Sequence, residues 1–476
     1  MPDVHYQHPG TWFGDCMPLY ARNAFQLFHQ RDTRRPGPFG EPFGWALART
    51  TDFVTYEDLG EVLLRGADDE QDQFIFAGSV FEARGRFFAM YTGFNRDFPA
   101  QDRPAQVLML ATSDDLVTWT KTGRQVVAPQ PGYDPDNWRD PFVLYDDEAG
   151  HWLMILGGRL NGDLVRSGRT VWLTSTDLET WEFRGDFWAP DLYSMHEMPD
   201  LFRMGDWWYL LTTEYSDRSK TIYRMSRSLH GPWSAPVDDA FDGRTYYAAR
   251  SASDGEHRYL FGWVPTKEGE HDRGSQQWGG TLVVHQVVQR PDGSLGVAPA
   301  PGIANRFATQ PVNALSDEAQ PAAAGTGTEI RLARADGATS ASFSAEPGPV
   351  WQLTAWLTIA EGTRSVALRF AEEASTGDAY AFTLRPGERL IAFDKVPNYP
   401  WFRYDARGHD RPWPATTGGR HRLRLIVDGD LATLYLDDLA LSARFHDRRG
   451  HGIGMEVIDG AATLGDVTIT RWPERV

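Results

Sequence analysis

A chain of 476 residues is longer than one compact core usually serves, so two domains are expected, the first of them large. Gly 46, Pro 30 and aromatics at 13% favour many short strands and tight turns, and apolar repeats at i, i+3 and i+4 are scarce, which argues against a helical fold. The formal net charge of -18 argues against nucleic acid as a partner, because phosphate contacts need clustered Lys and Arg, and no run approaches the roughly 18 apolar residues of a membrane span.

A single cysteine, Cys16, leaves no intramolecular disulfide framework and suits a reducing compartment. The opening stretch MPDVHYQHPG has neither a positive n-region nor an apolar h-region, so a cytoplasmic location is expected. Eighteen tryptophans are a surplus. Most are expected in the core, the rest as platforms for sugar rings.

The first three hundred residues repeat. TTDFVTYEDLG from Thr50, TSDDLVTWTKTG from Thr112 and TSTDLETWEFRG from Thr174 share one pattern, and MSRSLHGPWSAP from Met225 is a looser copy. Tyr56, Trp119, Trp181 and Trp233 stand 63, 62 and 52 residues apart. Hairpins with alternating apolar residues stand between these copies, among them FAGSVFEARGRFFAMYTG and DPFVLYDDEAGHWLMILGG, with Gly and Asp at the turns. Each unit therefore reads as about four strands, and an initial and a final unit bring the count to five. The outer motif is expected to be structural, with Asp115 and Asp177 capping a turn and Trp119 and Trp181 packing between sheets.

Such a repeat predicts an all-β chain that begins with a five-bladed β-propeller over residues 1–305. Residues 306–330, rich in Ala, Gly, Pro and Thr from Ala314 to Thr328, read as a linker. Alternation returns in WQLTAWLTIA and in RLRLIVDGDLATLYLDD, a hairpin turning at Asp428 and Gly429, so residues 331–476 are predicted to form a β-sandwich of roughly ten strands. Between its strands, Phe393 to Pro414 reads as a long aromatic loop.

In a propeller the innermost strands face the central channel, so residues that begin them converge. Asp15, Ser79, Asp140 and Glu197 are expected at that position. Hydrolysis of a glycoside with retention requires a nucleophilic carboxylate and an acid about 5 to 5.5 Å apart, and neighbouring carboxylates push one another's pKa values apart, so that one stays protonated. Each residue also has a structural reading. Asp15 suits a turn, Asp140 a pair with Arg139, and Glu197 a cap at a strand entry.

WRDPF, HEMPDLF and FAGSVF, followed by GRTYYAAR and FGWVP, resemble the signature set of glycoside hydrolase family 32, the invertases, inulinases and levanases. The resemblance implies a propeller followed by a sandwich. It also implies that Asp15 is the nucleophile, Glu197 the general acid/base and Asp140 the transition-state stabiliser, with Arg139 orienting the carboxylates. Trp12, Gln30, Trp45, Ser79, Tyr247 and Trp263 match positions lining the sugar pocket. The first motif departs from the family's usual Trp-Met-Asn-Asp-Pro-Asn-Gly: Gly14 replaces the Asn and Cys16 replaces the Pro. Met198 replaces the Cys of Glu-Cys-Pro-Asp.

The expected activity is release of fructose from small β-fructofuranosides by double displacement, with transfer to another sugar as a variant of the second step. An inverting arabinofuranosidase or xylosidase of the family 43 type and a non-catalytic carbohydrate-binding propeller are the competing readings. Cys16 beside Asp15 reads as packing rather than as a catalytic thiol, since no orienting His stands near it in sequence. His196 either tunes Glu197 or is structural. The scattered His residues lack metal-ligand spacing, so neither metal nor cofactor is expected, and the partner is a small carbohydrate, with the oligomeric state left open.

Overall fold

Alternating apolar residues pair into antiparallel sheets in the computed structural model, which describes residues 4–473 apart from 38, 163–164, 308–310, 313–328, 344–347, 398–408 and 415–416. The first blade holds β1 (Trp12–Ala21), β2 (Ala24–Asp32), β3 (Trp45–Thr50) and β4 (Glu57–Leu63). The second holds β5 (Phe74–Ala83), β6 (Arg86–Phe94), β7 (Gln106–Ser113) and β8 (Thr120–Val127), and the third β9 (Tyr133–Asp146), β10 (His151–Leu160), β11 (Gly168–Ser175) and β12 (Glu182–Trp188). The fourth has β13 (Glu197–Met204), β14 (Trp207–Glu214) and β15 (Lys220–Ser226), and the fifth β16 (Tyr247–Ser253), β17 (Arg258–Lys267), β18 (Gln276–Gln289) and β19 (Leu295–Pro299). Strands pair in sequence order within each blade, and β18 also pairs with β1, Phe13 opposite Gly280, which closes the ring into a five-bladed propeller.

The repeated outer motif is one turn made three times. Asp115 Oδ1 accepts from the backbone N–H of Val117 at 2.8 Å and Thr118 at 2.6 Å. Asp177 does the same with Glu179 and Thr180, and Asp52 with Val54 and Thr55. Trp119 and Trp181 return an indole N–H to the carbonyls of Leu116 and Leu178. The fourth copy lacks this turn; its outer edge pairs only through the bridges Met225–Ser234 and Ile222–Ala240.

After helix Pro301–Phe307 the chain enters an eleven-stranded sheet system. Its twenty-residue last strand, Gly452–Arg471, pairs with Ser365–Glu372 along its first half and with Val350–Ile359 along its second, so it runs from one layer of the sandwich into the other. A separate apolar core lies between the layers, around Leu353, Phe370, Phe382, Leu425 and Ile469. The hairpin at Asp428 and Gly429 is present, with Asp428 opposite Leu431. Phe393 and Asp410–Pro412 are strand residues, so the aromatic loop is shorter than the sequence suggests. Its centre, 398–408, and the linker region 313–328 lie outside the described residues. Among the described residues no helix is long and apolar enough to cross a membrane.

Candidate active site

Every innermost strand carries a β-bulge at the same height. In β1 Gly14 and Asp15 together face Gln30, in β9 Asp140 and Pro141 face Leu156, in β13 Met198 and Pro199 face Thr212, and in β16 Ala248 and Ala249 face Gly262. In β5 the extra residue is Ala77, between Phe76 and Gly78. A bulge bends the strand and re-aims the side chains beside it. Three of the bulges also hold a non-glycine residue in the left-handed region, Asp140 at φ 64, Met198 at φ 50 and Ala248 at φ 55, a conformation that costs on the order of 1 to 3 kcal/mol each.

The bulges gather Asp15, Asp140 and Glu197, from blades one, three and four, around one pocket of about 300 Å³. The sequence placed them at one repeat position. The structure offsets them: Glu197 precedes its bulge, Asp140 is the first bulge residue and Asp15 the second. The residues equivalent to Glu197 are Phe13, Phe76, Arg139 and Tyr247, and the last two bond to it. Arg139 Nη2 donates to Glu197 Oε1 at 2.5 Å, and the Tyr247 hydroxyl donates to Oε2. Asn137 and Gln106 hold the other end of the guanidinium at 3.1 and 3.4 Å. Asp140 is buried; its Oδ2 accepts from the backbone N–H of Met198 at 2.9 Å. Asp15 Oδ1 accepts from the indole N–H of Trp263 at 3.1 Å.

Burial, followed by the charges of Asp140 and Glu197, pushes the Asp15 carboxyl up to about 8, against the Trp263 hydrogen bond and the Arg250 charge. Asp140 is raised as well, first by burial and then by Glu197, with Arg139, the Met198 N–H and Arg250 opposing. Arg250 lies fully buried beneath this group. Its guanidinium donates to the carbonyls of Gly78, Asp140 at 2.7 Å and Pro141 at 3.4 Å. It also lines a second cavity of about 240 Å³, shared with Met17, Ser79 and Val143.

Gln30, Arg139 and Tyr247 line the first pocket together with the three carboxylates, and Trp263 reaches it through Asp15. The structure does not bring the other sequence candidates there. Trp12 lies under Arg34, whose guanidinium is 4.6 Å from its ring. Trp45 is wholly buried and bonds the Phe76 carbonyl. Ser79 lies past its bulge, accepts from the Val143 N–H at 3.1 Å and lines the second cavity, because the extra residue sits ahead of it in β5. Gln30 Nε2 donates to the Ile75 carbonyl, and its Oε1 is buried without a hydrogen-bond partner among the described residues.

The sequence reading missed an aromatic wall. Phe76 stacks on Phe94 at 4.4 Å, Phe39 meets Phe76 and Trp278 edge-on at 5.4 Å, and Trp278 meets Trp263 at 5.8 Å. Trp278 also explains Gly14. A Cβ on Gly14 would stand 2.4 Å from its indole and 3.0 Å from Gln30 Cβ, so the ring fills the room an Asn side chain would take. Phe76 was findable, since it opens the FAGS motif; Trp278 reaches the site only through the pairing of β18 with β1.

Cys16 is buried, and burial followed by the Asp15 charge holds its thiol well above the usual range, so it stays protonated. His196 is buried against Trp188 and bonds Thr170 at 3.1 Å. Burial lowers it to about 3, which leaves it neutral and unable to act on Glu197 as a cation. Among the described residues no group of three His, Cys, Asp or Glu side chains is arranged to hold a metal ion.

Residues 5–299 match the family model described as the glycosyl hydrolases family 32 N-terminal domain. Sucrose-6-phosphate hydrolase from Escherichia coli is 25% identical over 319 residues, which cover 62% of this chain and 63% of that protein; the chain thus aligns with less than two thirds of its relative's length. Among solved structures, fructan 1-exohydrolase IIa from Cichorium intybus superposes with a TM-score of 0.76 at 15% identity, covering 99% of this chain and 97% of that one. The Bombyx mori GH32 β-fructofuranosidase gives 0.73 at 20%, covering 99% and 94%. These two likenesses support the fold, and the match over 5–299, more than half of the sequence, carries the assignment: the chain belongs to glycosyl hydrolase family 32.

Proposed function

We propose that this protein is a retaining β-fructofuranosidase that releases fructose from small fructo-oligosaccharides or related fructosides. The observation that carries this reading is the meeting of Asp15, Asp140 and Glu197 in one pocket, with Glu197 held between Arg139 and Tyr247. In the first step the Asp15 carboxylate attacks C2 of the fructosyl unit while Glu197 gives its proton to the leaving oxygen, and a fructosyl ester on Asp15 results. In the second step Glu197 takes a proton from water, whose oxygen attacks C2 and releases Asp15; a sugar hydroxyl in place of water gives transfer. Asp140, fixed by the Met198 N–H, faces the ring and steadies the positive charge that develops on it.

Family membership favours this over the arabinosidase or xylosidase reading, and three carboxylates in one pocket favour it over a binding-only propeller. The single cysteine and its buried thiol fit action in a reducing cytoplasm on fructosides that enter the cell. Asp15→Asn and Glu197→Gln test the assignment. Each is expected to lower fructose release by at least about a thousandfold, with circular dichroism unchanged. Turnover within tenfold of the parent chain in either variant would overturn it.

A further inference from the structure

The relative from Escherichia coli is named for a phosphorylated substrate, and a phosphate needs cations or several N–H donors to leave water. The described residues that line the pocket of this chain supply little of either. Its lining carries the carboxylates Asp15, Asp136, Asp140 and Glu197 and one cation, Arg139, whose guanidinium is already bonded to Glu197, Asn137 and Gln106. Two neighbouring arginines are also committed. Arg34 donates to the carbonyls of Trp278 at 2.5 Å and Gly279 at 3.2 Å and covers Trp12. Arg96 donates to the Gly40 carbonyl and lies 4.3 Å from the Phe74 ring. What the wall offers instead is aromatic surface, with Phe39, Phe76, Phe94 and Trp278 partly exposed toward the pocket, which suits the C–H face of an uncharged ring.

We infer that the pocket selects uncharged fructosides and rejects those phosphorylated on the leaving group, Asp136 at the rim and the aromatic wall being the specificity-determining features. The inference rests on the fructosidase reading and narrows it to neutral substrates. A dianion drawn into this pocket meets charges of its own sign and, among the described residues that line it, no uncommitted cation, and like-charge juxtaposition in a binding site costs enough to lower kcat/KM by about a hundredfold or more. Because Asp136 is exposed, part of that repulsion is screened by salt.

The experiment measures kcat/KM of the full chain on sucrose, 1-kestose and sucrose 6-phosphate at low and high ionic strength, together with the Asp136→Lys variant. A neutral substrate is expected to exceed sucrose 6-phosphate by at least about a hundredfold, with a gap that narrows as salt is added. Asp136→Lys is expected to raise the value for sucrose 6-phosphate about tenfold. Sucrose 6-phosphate as an equal or better substrate overturns the inference while leaving the fructosidase reading intact. Fructose release from none of the three overturns that reading, and calorimetry on the Asp15→Asn variant then decides the inference alone: sucrose must bind and sucrose 6-phosphate must not. Tighter binding of the phosphorylated sugar, or binding of neither, overturns it.

Discussion

Asp15 is pushed up to about 8 by burial and by the charges of Asp140 and Glu197, although the nucleophile it is proposed to be must be ionised to attack. The proposed double displacement needs one proton among the three carboxylates, and in that scheme it must ride on Glu197. The raised Asp15 carboxyl favours the protonated form near neutral pH, and because interacting groups titrate as a set, the apparent pKa belongs to the group rather than to one residue. Activity is therefore expected to fall as pH rises through about 8, where the shared proton is lost and no general acid remains. The same shift has a cost in stability. Unfolded Asp15 releases its proton near its ordinary value of 3.8 and folded Asp15 near 8, so between these values the unfolded chain binds fewer protons and stability falls as pH rises. Asp15→Asn removes that penalty. It is expected to raise the melting temperature by a few degrees at pH 8 and by almost nothing at pH 4. An equal change at both would show that Asp15 is not desolvated in the folded state. The acidic motifs themselves were legible in the sequence, because Arg139-Asp140-Pro141 and Glu197-Met198-Pro199 are local patterns.

The bulges are the elements that turn such motifs into a site, and they explain what the sequence reading could and could not reach. Repeats of Asp, Trp and alternating apolar residues gave the blade count, since each copy closes its own turn: Asp115 with Val117 and Thr118, Asp177 with Glu179 and Thr180. Register is different. One extra residue in an inner strand flips everything beyond it, so Ser79 moved to the second cavity while Phe76 stayed, and the equivalence of Glu197 with Arg139 and Tyr247 stayed hidden. Trp278 was out of reach because β18 meets β1 across most of the propeller sequence. That pairing also makes Gly14 part of an exchange with Trp278 rather than a missing Asn. Restoring the family residue with Gly14→Asn is expected to lower kcat/KM at least tenfold, since the new side chain collides with the indole. In the double variant with Trp278→Ala much of that loss is expected to return. Steady-state kinetics of the two single variants and the double one form the cycle, and strictly additive losses would mean that the two positions do not share the space.

At the scale of the molecule, the sandwich holds the propeller through buried polar groups as much as through apolar packing. Arg444 donates to the carbonyls of Val264 at 3.0 Å and Pro265 at 3.2 Å and to Thr281 at 2.9 Å, while Asp430 pairs with it at 2.6 Å. Asp242, wholly enclosed, accepts from Ser442 N–H and hydroxyl at 2.6 Å and stands 3.0 Å from His285, and Asp428 accepts the N–H groups of Val4 and His5. Ile426, Leu431, Tyr435 and Trp472 extend the propeller's own apolar core. A buried polar group that loses its partner costs far more than the intact bond contributes, so the two parts are expected to unfold together. Arg444→Met takes the guanidinium from Asp430, which keeps His446 at 3.6 Å, and removes a donor from Val264, Pro265 and Thr281; it is expected to cost about 2 to 4 kcal/mol, seen as a lower melting temperature with a single calorimetric transition. Truncation after residue 305 goes further, because it takes both Ser442 donors from Asp242 and removes Ile426, Leu431, Tyr435 and Trp472 from the propeller's apolar core. The shortened chain is expected to aggregate or to remain unfolded by circular dichroism. A soluble truncated propeller with the parent chain's kcat would show instead that the sandwich is dispensable for the folded site.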